Sequence, residues 1–222
     1  ALSEVRHEGR GVNSKRQEAP HAHAAVPSQT RCGFWVTDLG TDTVTFYGVE
    51  KRSRQVKKGQ QLRVKPGSGP RHLIFHPQAP AAFLVNELSS TLIFLHYARQ
   101  AERLTPLAEY PLLPASFTGE NIAADVRISP CGRWVVASNR GHESVAVFAF
   151  DQASFTLTPA GIYACGGLHP RNIAFDPSGR YLLVANQNSH RIVALALDPA
   201  CGSLIHSGVE LEVPMPVCIL FH

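Results

Sequence analysis

A fourfold internal repeat constrains this chain more than any other feature. The clearest copy, Pro170 to Asp198, reads PRNIAFDPSGRYLLVANQNSHRIVALALD. An apolar run (Asn172 to Phe175) meets an Asp-Pro-Ser-Gly turn, a second run follows (Tyr181 to Ala185), then a polar turn from Asn186 to Arg191, then a third run (Ile192 to Leu197). Strand, tight turn, strand, turn, strand describes an antiparallel meander. The pattern recurs at residues 70 to 97 and 123 to 151, and in a degenerate form from Ala22 to Tyr47. Aligning the polar turns places Asp38, Asn86, Asn139 and Asn186 in one column, at spacings of 48, 53 and 47 residues.

Between the copies, Arg103 to Leu113, Thr156 to Tyr163 and Leu204 to Val213 carry short apolar alternations that predict a fourth, outer strand for each unit. Units of roughly 40 to 50 residues with four antiparallel strands are the signature of a β-propeller blade. The expected fold is therefore all-β: one partial propeller domain over residues 1 to 222, with about four blades. Pro214 to Phe221 is expected as the first strand of a further blade, and residues 1 to 19 as loop or the remnant of a preceding one. Four blades sit at the lower limit for a ring, so further N-terminal blades are expected. Open blade edges would invite self-association.

Charge and cysteine content exclude several classes of function. The net charge is +4, but Lys51 to Lys65 supplies seven basic residues and no acid, so the remainder is −3. No aromatics interleave with that run for bases to stack on, which favours a solvated outer strand or loop over nucleic acid. No apolar stretch approaches the roughly 20 residues of a membrane span. Five scattered cysteines without a C-x-x-C pair fit a reduced, cytoplasmic setting.

Alternating strand directions bring the loop entering each blade and the turn between its second and third strands to one end. The entering loops carry His21, His23, Arg71, His72, Glu120, Asn121, His169 and Arg171. The turns carry Asp38, Asn86, Glu87, Asn139, Arg140, His142, Asn186, Gln187 and His190. Counting sixteen residues back from the Asn column makes Ala22, Pro70, Ala123 and Pro170 equivalent, and hence also His23, Arg71, Ala124 and Arg171. A guanidinium group facing a central cleft is costly to desolvate unless it meets an anion, either a ligand or a carboxylate such as Glu87 or Glu120. The Asn column itself fits the side-chain-to-backbone bonding of turns. His21 and His23 form an H-x-H without further ligands at metal spacing, so no metal is expected. With no G-x-S-x-G motif and no activated cysteine, water is the expected nucleophile of any hydrolase reading.

The strings PHAH (Pro20 to His23), GSGPRH (Gly67 to His72), NELSST (Asn86 to Thr91), GEN (Gly119 to Asn121), SNRGHESVAVF (Ser138 to Phe148), PRNIAFDPSGRYLLVANQ (Pro170 to Gln187) and PVCILF (Pro216 to Phe221) resemble the lactonase family of seven-bladed propellers. That family includes 6-phosphogluconolactonases and carboxymuconate cyclases. The resemblance implies a cytoplasmic enzyme that opens a small anionic lactone, needs no cofactor, and here lacks about two N-terminal blades. It implies that His23, Arg71, Glu87, Glu120, Asn139, His142, Arg171 and Gln187 stand around the channel mouth, with catalytic roles expected among Arg71, Arg171, Glu87, Glu120, His23 and His142. With the loop placement added, substrate contacts are expected from His21, His72, Asn121, Asn139, Arg140 and Gln187. One arginine would serve the oxyanion and the other the substrate anion, and Glu87 or Glu120 would be the base, with His23 or His142 as alternative. A non-catalytic interaction scaffold and a lactone-forming cyclase are the competing expectations.

Overall fold

Alternating apolar residues between Gly, Pro, Asn and Asp turns produce strands throughout. A computed structural model describes residues 4–221. In chain order the strands are β1 (Ala22–Pro27), β2 (Gly33–Asp38), β3 (Thr43–Val49), β4 (Val56–Arg63), β5 (Pro70–Phe75), β6 (Ala81–Asn86), β7 (Thr91–Ala98) and β8 (Arg103–Pro111). They continue as β9 (Ile122–Ile128), β10 (Trp134–Arg140), β11 (Ser144–Asp151), β12 (Thr156–Ala164), β13 (Pro170–Phe175), β14 (Tyr181–Asn186), β15 (Arg191–Leu197) and β16 (Leu204–Glu212). Each consecutive four form one antiparallel sheet in chain order. No α-helix occurs among the described residues, where the only helical turns are two short 3-10 segments at Arg99–Ala101 and Gln187–Ser189.

The sheets fall into two compact units, Ala1–Phe75 with Pro80–Glu109, and His76–Ala79 with Tyr110–His222. In the first, Trp35, Val44 and Phe46 pack with Leu73, Leu84, Leu95 and Tyr97, so the core joins β1–β4 to β5–β8. In the second, Trp134, Val136, Val145 and Val147 pack with Ile173, Val184, Val193 and Leu195, joining β9–β12 to β13–β16. These sheets contribute large apolar side chains from both partners because each has an apolar face toward its neighbour.

The outer strands β8, β12 and β16 form where the spacing predicts them. β4 lies within the basic run, has exposed and half-buried residues but no fully buried one, and places Lys57 Nζ 3.4 Å from Glu50. Pro214 to Phe221 differs from expectation, since no strand forms there. A strand needs a backbone partner, and here two amides find side chains instead: Met215 N donates to His190 Nδ1 (3.1 Å) and Ile219 N to Asn172 Oδ1 (2.7 Å). Residues 4 to 19 also form no strand.

One backbone irregularity recurs in every sheet and positions the candidate site. In β5, Pro70 faces Asn86 and His72 faces Val85, which leaves Arg71 as the extra residue of a β-bulge. In β13, Pro170 faces Asn186 and Asn172 faces Ala185, so Arg171 is the extra residue. His23 takes that place in β1, and β9 gains its extra residue between Ala123 and Val126. A bulge re-aims the side chain it carries, and such irregularities concentrate beside functional sites.

Candidate functional site

Hydrogen bonds join each entering loop to the turn between second and third strands, as the alternation of strand directions requires. Leu39 N donates to His21 O, Glu87 N to Gly69 O and Gln187 N to His169 O, while His142 N donates to Asn121 Oδ1 at 3.0 Å. Side chains of the column bond to nearby groups. Asp38 accepts from the backbone nitrogens of His21, Gly40 and Thr41, Asn86 donates to Thr91 Oγ1, and Asn186 donates to Cys165 O.

In the first unit the polar residues are tied to one another. Arg71 and Glu87 are each 3% exposed, and Arg71 Nε donates to Glu87 Oε2 at 2.8 Å. The other carboxylate oxygen of Glu87 accepts from Arg16 at 2.7 Å, so two guanidinium groups share one carboxylate. Both oxygens of Glu87 are therefore engaged by cations, an arrangement that favours the ionised acid and opposes its use as a base. This ion pairing is the alternative reading of Arg71 that the sequence left open. Arg71 NH1 also sits 3.3 Å from both ring nitrogens of His72, a placement against the ring rather than along one bond. The His72 ring meets His23 edge to face, with centroids 5.0 Å apart. His21, exposed, places Nε2 3.1 Å from Glu18 Oε1.

In the second unit two of the candidate residues are unengaged. Arg171 is partly buried on its bulge and forms no hydrogen bond or ion pair among the described residues, while Glu120 is exposed and likewise free. Around them the polar side chains are ordered. Asn121 Nδ2 donates to Asn139 Oδ1 (3.3 Å), and Asn139 Nδ2 donates to Leu112 O (2.9 Å) and Ser144 Oγ (3.2 Å). Ser144 Oγ lies 2.7 Å from His142 Nδ1, and Phe117 meets the His142 ring edge to face at 4.8 Å. Arg140 is buried and donates to Ala123 O at 2.8 Å. Gln187 Oε1 is a buried acceptor with no donor. Gly141 (φ +118°) lets the turn approach the entering loop, because a Cβ there would lie 2.2 Å from Glu120 O.

Arg16, Ser144 and Phe117 escaped the sequence reading. Ser144 lies within the SNRGHESVAVF string, but nothing there assigns it a role, and no pattern in the sequence marks Arg16 or Phe117. Among the described residues no group of three or more His, Cys, Asp or Glu side chains comes together to hold a metal ion. Among the same residues no helix is long and apolar enough to cross a membrane. All five cysteines are free thiols, and burial pushes the Cys165 thiol up to about 11, the opposite of activation.

Four four-stranded antiparallel sheets, three of them with His23, Arg71 or Arg171 on a bulge of the first strand, are blades of the β-propeller kind. The chain belongs to the lactonase family of seven-bladed β-propellers, whose profile it matches over residues 1–221. It is 31% identical over 220 residues to the 6-phosphogluconolactonase of Bacillus subtilis, covering 99% of this chain and 62% of that protein. A Lactobacillus plantarum structure is 34% identical with a TM-score of 0.89, over 96% of this chain and 62% of that one. The periplasmic gluconolactonase of Pseudomonas aeruginosa is 35% identical with a TM-score of 0.85, over 90% of this chain and 56% of that one. The chain thus spans less than two thirds of the length of these relatives.

Proposed function

We propose that this chain carries lactonase-type chemistry, opening a sugar lactone that bears an anionic group, with 6-phosphogluconolactone as the type substrate and water as nucleophile. The observation that carries this reading is Arg171, a partly buried guanidinium presented by a β-bulge and answered by no carboxylate among the described residues. A cation in that position gains most from an external anion, and its planar fork suits a phosphate or carboxylate. The unpaired Gln187 Oε1 suits a sugar hydroxyl, since a buried acceptor without a donor is costly.

The chemistry divides among these groups. Water adds to the lactone carbonyl carbon while Glu120 takes its proton. The tetrahedral oxyanion then collapses by breaking the ring C–O bond, and the leaving alkoxide recovers a proton to give the hydroxy acid. Glu120 has the base role rather than Glu87 because its carboxylate is free, whereas Glu87 is held between Arg71 and Arg16. Arg171 holds the substrate anion; Arg71, in the first unit, is held by Glu87 and is given no step.

The test is hydrolysis of 6-phosphogluconolactone, followed by acid release against its spontaneous rate. A protein-dependent excess that disappears in Arg171→Ala supports the reading. No excess, from this chain or from a version extended to the length of its relatives, favours the interaction scaffold. Turnover of a carboxymuconate substrate alone would favour the cyclase.

A further inference from the structure

We infer that Ser144 fixes the tautomer of His142, so that the neutral imidazole presents an N–H donor at Nε2 and acts as a hydrogen-bond donor to an oxygen of the ligand, not as a base. The inference follows a chain of three bonds. Asn139 Nδ2 donates to Leu112 O, which only the NH2 end of the amide can do, so its orientation is set. The same NH2 donates to Ser144 Oγ, which uses that hydroxyl as an acceptor. Ser144 is 2% exposed, and the acceptor the structure places within reach of its own proton is His142 Nδ1 at 2.7 Å. A hydroxyl that donates to Nδ1 requires Nδ1 to be unprotonated, and the neutral ring then carries its proton on Nε2.

Two further contacts hold the ring in that pose. His142 N donates to Asn121 Oδ1, and Asn121 in turn donates to Asn139 Oδ1, which closes a loop of polar side chains beneath the turn. Phe117 packs its ring at 88° to the imidazole plane and restricts rotation about the side chain. Ser144 is therefore a positioning residue that acts through His142. A fixed N–H donor suits the carbonyl oxygen on which charge develops, or an oxygen of the substrate anion. The functional part of this inference rests on the lactonase reading, whereas the tautomer does not.

The experiment is long-range 1H–15N correlation NMR of the imidazole rings at a pH where His142 is neutral. Its signals are identified among the 11 histidines by their loss in His142→Gln. Nε2–H is expected to dominate in the unaltered protein, to give way to a mixture in Ser144→Ala, and to return in Ser144→Thr. A dominant Nδ1–H form in the unaltered protein, or an unchanged tautomer in Ser144→Ala, overturns the inference. If Ser144→Thr does not fold, the unaltered protein and Ser144→Ala decide it alone. Where hydrolysis is measurable, His142→Gln retains an N–H donor and is expected to keep at least tenfold more activity than His142→Ala. Equal loss in both would overturn the donor role while leaving the lactonase reading standing.

Discussion

Arg171→Ala is expected to separate binding from folding. The side chain has no carboxylate or backbone acceptor to lose among the described residues, so the stability change is expected within about 0.5 kcal/mol. Its loss from a bound phosphate should be large. A bidentate guanidinium makes two charge-assisted hydrogen bonds, each contributing about 1.5–3 kcal/mol. Taking the lower figure for both, because water refills the vacated space, gives about 3 kcal/mol, or roughly 100-fold at 1.4 kcal/mol per decade. Arg171→Lys keeps the charge but loses the fork and is expected to retain part of the affinity. The assay compares hydrolysis of a phosphorylated lactone with that of its unphosphorylated counterpart, alongside urea denaturation. The penalty should fall on the phosphorylated substrate alone. Equal losses on both substrates, or a drop in stability above about 2 kcal/mol, would refute the assignment.

The two acidic residues should behave in opposite ways. Glu87→Ala breaks a buried ion pair and is expected to cost about 3–5 kcal/mol in denaturant unfolding, whereas Glu120→Ala should leave stability within about 0.5 kcal/mol yet abolish protein-dependent hydrolysis. Buried His76 accepts from Gln78 N and Ala79 N at Nδ1 and donates to Gly132 O from Nε2, an arrangement only the neutral ring can make. Burial holds its pKa below the ordinary 6.5, so its contribution is complete above that value and is lost as pH falls through the lowered pKa. Unfolding midpoints measured between pH 7.5 and 5 should therefore fall, and His76→Leu should flatten that dependence. Gly141→Ala places a Cβ against Glu120 O at a left-handed φ, so a cost of about 1–3 kcal/mol and displaced Glu120 resonances are expected.

The blade order was legible because alternation with a period of two, punctuated by Asp-Pro-Ser-Gly and similar turns, is a local property that one repeat displays in full. The equivalence of His23, Arg71, Ala124 and Arg171 was legible for the same reason. That these positions lie on bulges was not, because an extra residue in one strand shows only against the register of its partner. Glu87 and Glu120 looked alike as acids beside turns. What separates them is Arg16, which reaches Glu87 from 71 residues away. Pro214 to Phe221 reads as a strand on composition, yet a strand also requires a partner edge, and two of its amides are satisfied by His190 and Asn172 instead. Ser144 is invisible in sequence because its effect depends on a neighbour two residues away and an asparagine on the adjoining strand.

The four bulges also bear on why the cations are there. If the bulge served only to curve or twist the sheet, its side chain would be a matter of indifference, and the third repeat shows that alanine suffices, since Ala124 lies at the equivalent position. Folding therefore does not demand an arginine at this point. A partly desolvated guanidinium is a cost to the fold that must be offset by a carboxylate, as Glu87 does for Arg71, or left for something that arrives later. Arg171 has no such carboxylate among the described residues, and it is on the same backbone irregularity, in a unit whose surrounding amides and imidazole are already ordered. The economical explanation for the difference between the two arginines is that the anion meeting Arg171 is not part of the chain.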